Sequence, residues 1–132
     1  MIKAVSHIGI AVEDLEEART FFKEKFGLDS AEHEGFRDLV FSFAEVGGAN
    51  LEFLQSIDPE GVIAKFIKKR GQGVHHIALE VDDIQKELDS LKEKGVQLIN
   101  EKPYLNAHKE LVAFIHPRST FGVLIELIQT GH

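Results

Sequence analysis

The chain carries the same segment twice, and this restricts its fold more than any other feature. His7–Leu15 (HIGIAVEDL) lies over His76–Ile84 (HIALEVDDI) at an offset of 69 residues, and Lys23-Glu24-Lys25 lies over Lys92-Glu93-Lys94 at the same offset. Further on the offset becomes 74, with Gly48–Gln55 (GANLEFLQ) over Gly122–Gln129 (GVLIELIQ). A repeat of this kind means one supersecondary unit copied, with five residues inserted in the second copy.

Each copy reads as strand, helix and three strands. Val5–Val12 alternates and is rich in β-branched residues, which predicts a strand. Asp14 with Glu17 forms a capping-box pattern, and Leu15, Ala18, Phe21 and Phe22 recur at helical spacing up to a stop at Gly27. Strands are expected at 29–33, 38–44 and 50–55, the last after the Gly47-Gly48 turn. The second copy repeats the order: a strand at 76–81, a helix from Asp83 to Lys94 ended by Gly95, and strands near 97–101, 110–116 and 122–129. Between the copies, Asp58-Pro59-Glu60 opens a short helix with the apolar stripe Val62, Ile63, Phe66 and Ile67, closed at Gly71. The expected class is α+β: two tandem βαβββ modules whose four-stranded antiparallel sheets sit side by side as an eight-stranded open cup. One domain of 132 residues follows, with module one at 1–57, the connecting helix at 58–73 and module two at 74–132.

Composition removes several functions. There is no Cys, so disulfides, thiolate zinc sites and a cysteine nucleophile are excluded. A formal charge of −7 argues against a general nucleic-acid binder. No run of eighteen apolar residues predicts a membrane span, and the opening residues lack a signal-peptide pattern, so the cytoplasm is expected.

Two strands with otherwise apolar centres each carry one carboxylate, Glu52 and Glu126, and each module opens on a histidine, His7 and His76. A buried ionised carboxylate costs several kcal/mol unless it is paired or bound to a metal. Because the repeat puts the four in equivalent places, they form a candidate two-histidine, two-glutamate set. It suits one divalent first-row ion with open water positions: cobalt, favoured, or manganese, nickel, zinc or iron. His75 adjoins His76 and points to the opposite sheet face. His33, His108 and His132 lack counterparts in the other copy and are given no metal role. His116, in the turn His116–Thr120, is a candidate for either turn capping or substrate contact.

At these residues the chain resembles the vicinal oxygen chelate (glyoxalase) superfamily. Within it, Ile63–Ala78 and His116–Leu127 resemble the epimerases that act on methylmalonyl-CoA. The resemblance implies interconversion of the two C2 epimers of that CoA thioester through C2 proton abstraction and a metal-stabilised enolate, and a homodimer. It implies that His7, Glu52, His76 and Glu126 hold the metal, with Glu126 also acting as a base. Asp38 matches a position that some of these epimerases fill with Glu, and is the candidate for the opposite-face acid/base. Lys65, Lys69 and Arg70 on the basic side of the connecting helix, beside Lys68, are candidates for the CoA phosphates, and His116 for the substrate. The chain departs from the family at Leu105–Glu110, where a glycine-rich loop is usual, and at Phe121, where a second Gly is common. Two other functions stay open on the same scaffold: a glyoxalase-I-type lactoylglutathione lyase, and a metal-free ligand-binding protein of the drug-resistance type.

Overall fold

The computed structural model describes residues 1–131; His132 lies outside them. The chain divides into two compact units, His7–His75 and Met1–Ser6 together with the chain from His76 onward.

The strand β1 (Ile2–Ala11), whose residues up to Ser6 belong to the other unit, leads into the helix α1 (Leu15–Phe26) of the first unit. The Asp14 side chain caps that helix by accepting the Glu17 N–H at 3.1 Å, and Gly27 ends it in the left-handed region at φ 66°, which favours glycine. β2 (Glu34–Phe36), β3 (Leu39–Val46) and β4 (Ala49–Ser56) follow as a meander, and then α2 (Val62–Arg70). β4 is buried on both faces at its centre, where the consecutive residues Glu52, Phe53 and Leu54 are all buried. Phe53 packs with Val12, Leu15, Ala44 and Phe22 beneath α1, while its neighbour Leu54 packs with Ala11, Phe41 and Ile63 of α2. Each fully buried side chain of this size contributes roughly 1.5–3 kcal/mol.

The second unit repeats the plan with β5 (Gly73–Val81), whose first residues belong to the other unit, then α3 (Ile84–Glu93), β6 (Tyr104–Leu105), β7 (Leu111–Ile115) and β8 (Ile125–Gln129). Asp83 caps α3 through the Lys86 N–H at 3.2 Å. Val81, Ile84, Leu88, Ala113, Ile115 and Leu127 form the layer under α3, and Ala78, Val112 and Ile128 lie on the opposite sheet face.

The structure corrects the expected sheet. β1 pairs with β4, and β5 with β8, in parallel rather than antiparallel fashion. A helical crossover returns the chain to start β2 in the direction of β1, and the two reversals of the meander leave β4 in that direction as well. The second strand of each module is also displaced. Residues 29–33 form no strand, although the Ala31 N–H bonds Phe43 O at 2.8 Å, and regular pairing begins only at Glu34. Residues 97–101 keep one isolated bridge, Leu98 to Ile115. There the Asn100 side chain takes the Phe114 N–H at 2.8 Å, and the Ile99 and Asn100 amides share one carbonyl, so a regular ladder cannot form. Glu101 of this irregular segment is tied to Lys92 of α3, whose hydrogen bond and charge hold the Glu101 carboxyl below its usual range. Two boundaries also move: α2 starts at Val62, which is exposed rather than part of the apolar stripe, and β8 starts at Ile125, leaving 122–124 outside the strand.

Candidate metal centre

Within the first unit, His7 comes from β1 and Glu52 from β4. The register sets Gly9 opposite Glu52, so His7 stands two residues back on the same face. His7 Nε2 lies 3.4 Å from Glu52 Oε1. Within the second unit, β5 and β8 do the same: Ala78 is opposite Glu126, and His76 Nε2 lies 3.1 Å from Glu126 Oε1. All four residues are buried. Each histidine also meets a phenylalanine edge-on, His7 with Phe43 at 5.6 Å and His76 with Phe114 at 5.9 Å between ring centres.

The spacing within each pair tests whether the donors suit a metal. With metal–ligand bonds of about 2.0–2.2 Å, two donors on one ion lie roughly 3.0 Å apart at an octahedral right angle and about 3.4 Å apart at a tetrahedral one. Both pairs fall in that interval. An imidazole beside a carboxylate, buried and walled by an aromatic ring, is the donor chemistry of a divalent first-row ion.

The remaining histidines and the other candidate residues have other surroundings. His75 turns away from His76 and packs edge-on against Phe66 of α2 at 5.0 Å. His33 is exposed and lies 3.4 Å from Glu16; His108 is exposed in the β6–β7 loop. Lys65, Lys68, Lys69 and Arg70 are all exposed on α2. His116 is half-buried, and its Nδ1 accepts the Arg118 N–H at 3.0 Å at the start of a 3-10 turn (Pro117–Ser119), which leaves Nε2 to carry the proton. Asp38 does not open β3 as expected. It sits in the two-residue turn Arg37-Asp38, where Arg37 takes φ 58°. Its carbonyl accepts the Ile57 N–H at 2.8 Å, its Oδ1 accepts the Asp58 N–H at 2.6 Å, and its Oδ2 is buried without a hydrogen-bond partner.

In the loop at 105–110, Lys109 takes φ 60° and Asn106 ties the turn together. Its Oδ1 accepts the N–H groups of His108 and Glu110, both at 2.9 Å, and closes the turn by side-chain bonding. Two supporting residues went unnoticed in the sequence, Gln55 and Gln129. Gln55 Oε1 accepts the Leu15 N–H and Gln129 Oε1 the Ile84 N–H, each at 2.8 Å, so the strand bearing each glutamate is pinned to the first turn of its module's helix. The signal was present, because the repeat ends on Gln in both copies.

Comparison with known proteins agrees with this plan. Residues 6–114 match the Glyoxalase/Bleomycin resistance protein/Dioxygenase superfamily. The chain is 36% identical over 128 residues to the mitochondrial methylmalonyl-CoA epimerase of Bos taurus, covering 95% of this chain and 73% of that one. Among solved structures it is similar to the methylmalonyl-CoA epimerase of Mycobacterium tuberculosis, with a TM-score of 0.91 and 30% identity over 99% of this chain and 90% of that one. It is also similar to a variant of the Streptomyces coelicolor enzyme in complex with 2-nitronate-propionyl-CoA, with a TM-score of 0.92 and 25% identity over 99% and 96% of the two chains. The chain therefore belongs to the glyoxalase-type superfamily and, within it, to the methylmalonyl-CoA epimerase family, whose members are isomerases. The fold expected from the sequence is the fold of this family. Among the described residues, no helix is long and apolar enough to cross a membrane.

Proposed function

We propose that this chain interconverts the (2R) and (2S) epimers of methylmalonyl-CoA by moving the C2 proton, with one divalent ion held by His7, Glu52, His76 and Glu126. One observation carries the reading: a buried His–Glu pair at ligand spacing occurs twice, on equivalent strands of the two modules. When bound, the ion supplies Lewis-acid stabilisation of the negative charge that develops on the thioester oxygen. Cobalt is the favoured ion, with manganese, nickel or zinc as substitutes.

The chain's own groups then move the proton. C2 lies between a thioester carbonyl and a carboxylate, so the electron pair of a broken C2–H bond delocalises into the carbonyl. Glu126 is assigned to take the proton from one face, and Asp38, protonated, to return one to the other face. The two carboxyls exchange protonation states in each turnover and reset through solvent, and the reverse direction uses them in opposite roles. For Asp38 the support is its arrangement: one oxygen is anchored by the Asp58 amide while the other has no hydrogen-bond partner. Lys65, Lys69 and Arg70 offer exposed cations for the CoA phosphates, and His116 offers its Nε2–H to the acyl end.

The test is C2 exchange. With cobalt-loaded protein and one epimer of methylmalonyl-CoA in D2O, deuterium enters C2 and the epimer ratio moves toward equilibrium. No exchange from metal-loaded protein overturns the reading, and turnover of a glutathione hemithioacetal in its place assigns the lyase activity instead.

A further inference from the structure

Gly61, the residue before α2, bears on Asp38. Its backbone lies at φ −70° and ψ 167°, extended geometry that any residue adopts, so no conformational need calls for glycine here. The space calls for it. A Cβ at position 61 would overlap Asp38 Oδ2 outright and would come within 2.6 Å of Asp38 Cγ and of Ser56 Oγ. Both neighbours are committed. Asp38 Oδ1 holds the Asp58 amide, and Ser56 Oγ accepts the N–H groups of Ile63 and Ala64, each at 3.0 Å, capping α2 from β4.

We infer that Gly61 is a positioning residue for Asp38: the missing side chain at 61 is what lets the Asp38 carboxylate lie with one oxygen anchored and the other unbonded. The inference rests on the assignment of Asp38 to the opposite face of C2. A methyl group at 61 pushes the carboxylate off its anchor while leaving its chemistry intact, so G61A reproduces the loss of Asp38 without touching it.

The experiment follows each epimer separately in D2O with the metal-loaded wild type, D38N, G61A and S56A, reading C2 deuterium and inversion. A two-carboxylate mechanism that loses one partner still exchanges the epimer whose proton faces the survivor, but no longer inverts it. G61A and D38N are both expected to slow inversion about a hundredfold, with one-sided exchange retained. S56A, which removes only the helix cap, is expected to lower Tm and keep exchange on both faces. Equal slowing of both epimers in G61A, or full activity in G61A beside an impaired D38N, overturns the role of Gly61 and leaves that of Asp38 standing. Full inversion by D38N overturns the Asp38 assignment itself. Should G61A fold poorly, D38A/G61A removes the overlap with the carboxylate. Its exchange pattern is expected to equal that of D38A, and a further loss overturns the inference.

Discussion

Glu126 lies directly across the β7–β8 ladder from Phe114. Glu52 has the same partner type, Phe43, across the β3–β4 ladder. A phenylalanine opposite a buried carboxylate brings neither charge nor hydrogen bond; each carboxylate instead lies beside its own module's histidine. The edge-on contact of the same ring with the histidine fixes the imidazole beside that carboxylate.

On the proposed reading, bound metal should stabilise the fold as well as serve the reaction. At a hundred times its dissociation constant, an ion that binds only the folded state adds about 2.7 kcal/mol, which for a chain of this size raises Tm by on the order of 10 °C. Thermal unfolding of chelator-treated protein with and without cobalt measures this shift. H7A and H76A should both abolish it, and a shift that persists in either variant removes that histidine from the site.

Glu52 and Glu126 are equivalent by geometry but not by assigned role. E126Q and E52Q should both weaken the metal, yet at saturating cobalt E52Q should recover C2 exchange while E126Q stays depressed by about a hundredfold or more. Metal titrations with exchange as the readout separate the two. Equal recovery would show that Glu126 is a ligand and nothing more.

Gln55 and Gln129 each satisfy one amide at the start of a helix. Q55A and Q129A should each cost about 1–2 kcal/mol, since a part-buried N–H loses its acceptor. The two share no partner, so the double variant should show nearly the sum. Urea unfolding checks both statements.

Phe121 is fully exposed and held at φ 59°. A left-handed conformation costs an L-residue roughly 1–2 kcal/mol, and the extra entropy of an unfolded glycine returns part of that. F121G should therefore gain about 0.5–1 kcal/mol, a rise in Tm of a few degrees. Calorimetry of the variant is the check, and a fall in Tm would mean that the phenylalanine holds the turn.

The repeat made the two buried His–Glu pairs readable because each half supplies the same His and Glu in the same order, which a single copy of His7 and Glu52 could not have done. Strand direction was not readable. The segment 50–55 looks the same whether its neighbour is parallel or antiparallel, and only the crossover through α1 decides it. Residues 97–101 have a strand's composition, but Asn100 competes for the Phe114 amide with its own side chain, which periodicity does not report. Asp38 fell in a turn because Arg37 adopts a positive φ with no glycine to announce it. Gly61 left no trace in the sequence, since nothing local requires it and the side chain it makes room for lies more than twenty positions away.

The repeat does not split the molecule where the sequence does. Met1–Ser6, the opening of the first copy, belongs with the chain from His76 onward, where Lys3 lies 3.8 Å from Glu80. During synthesis these six residues are made well before the segment they fold against. They must wait through nearly seventy further residues, so the second half cannot close until the ribosome has delivered partners to a strand whose other end is already in use. A fragment that ends between the copies would leave that strand half committed.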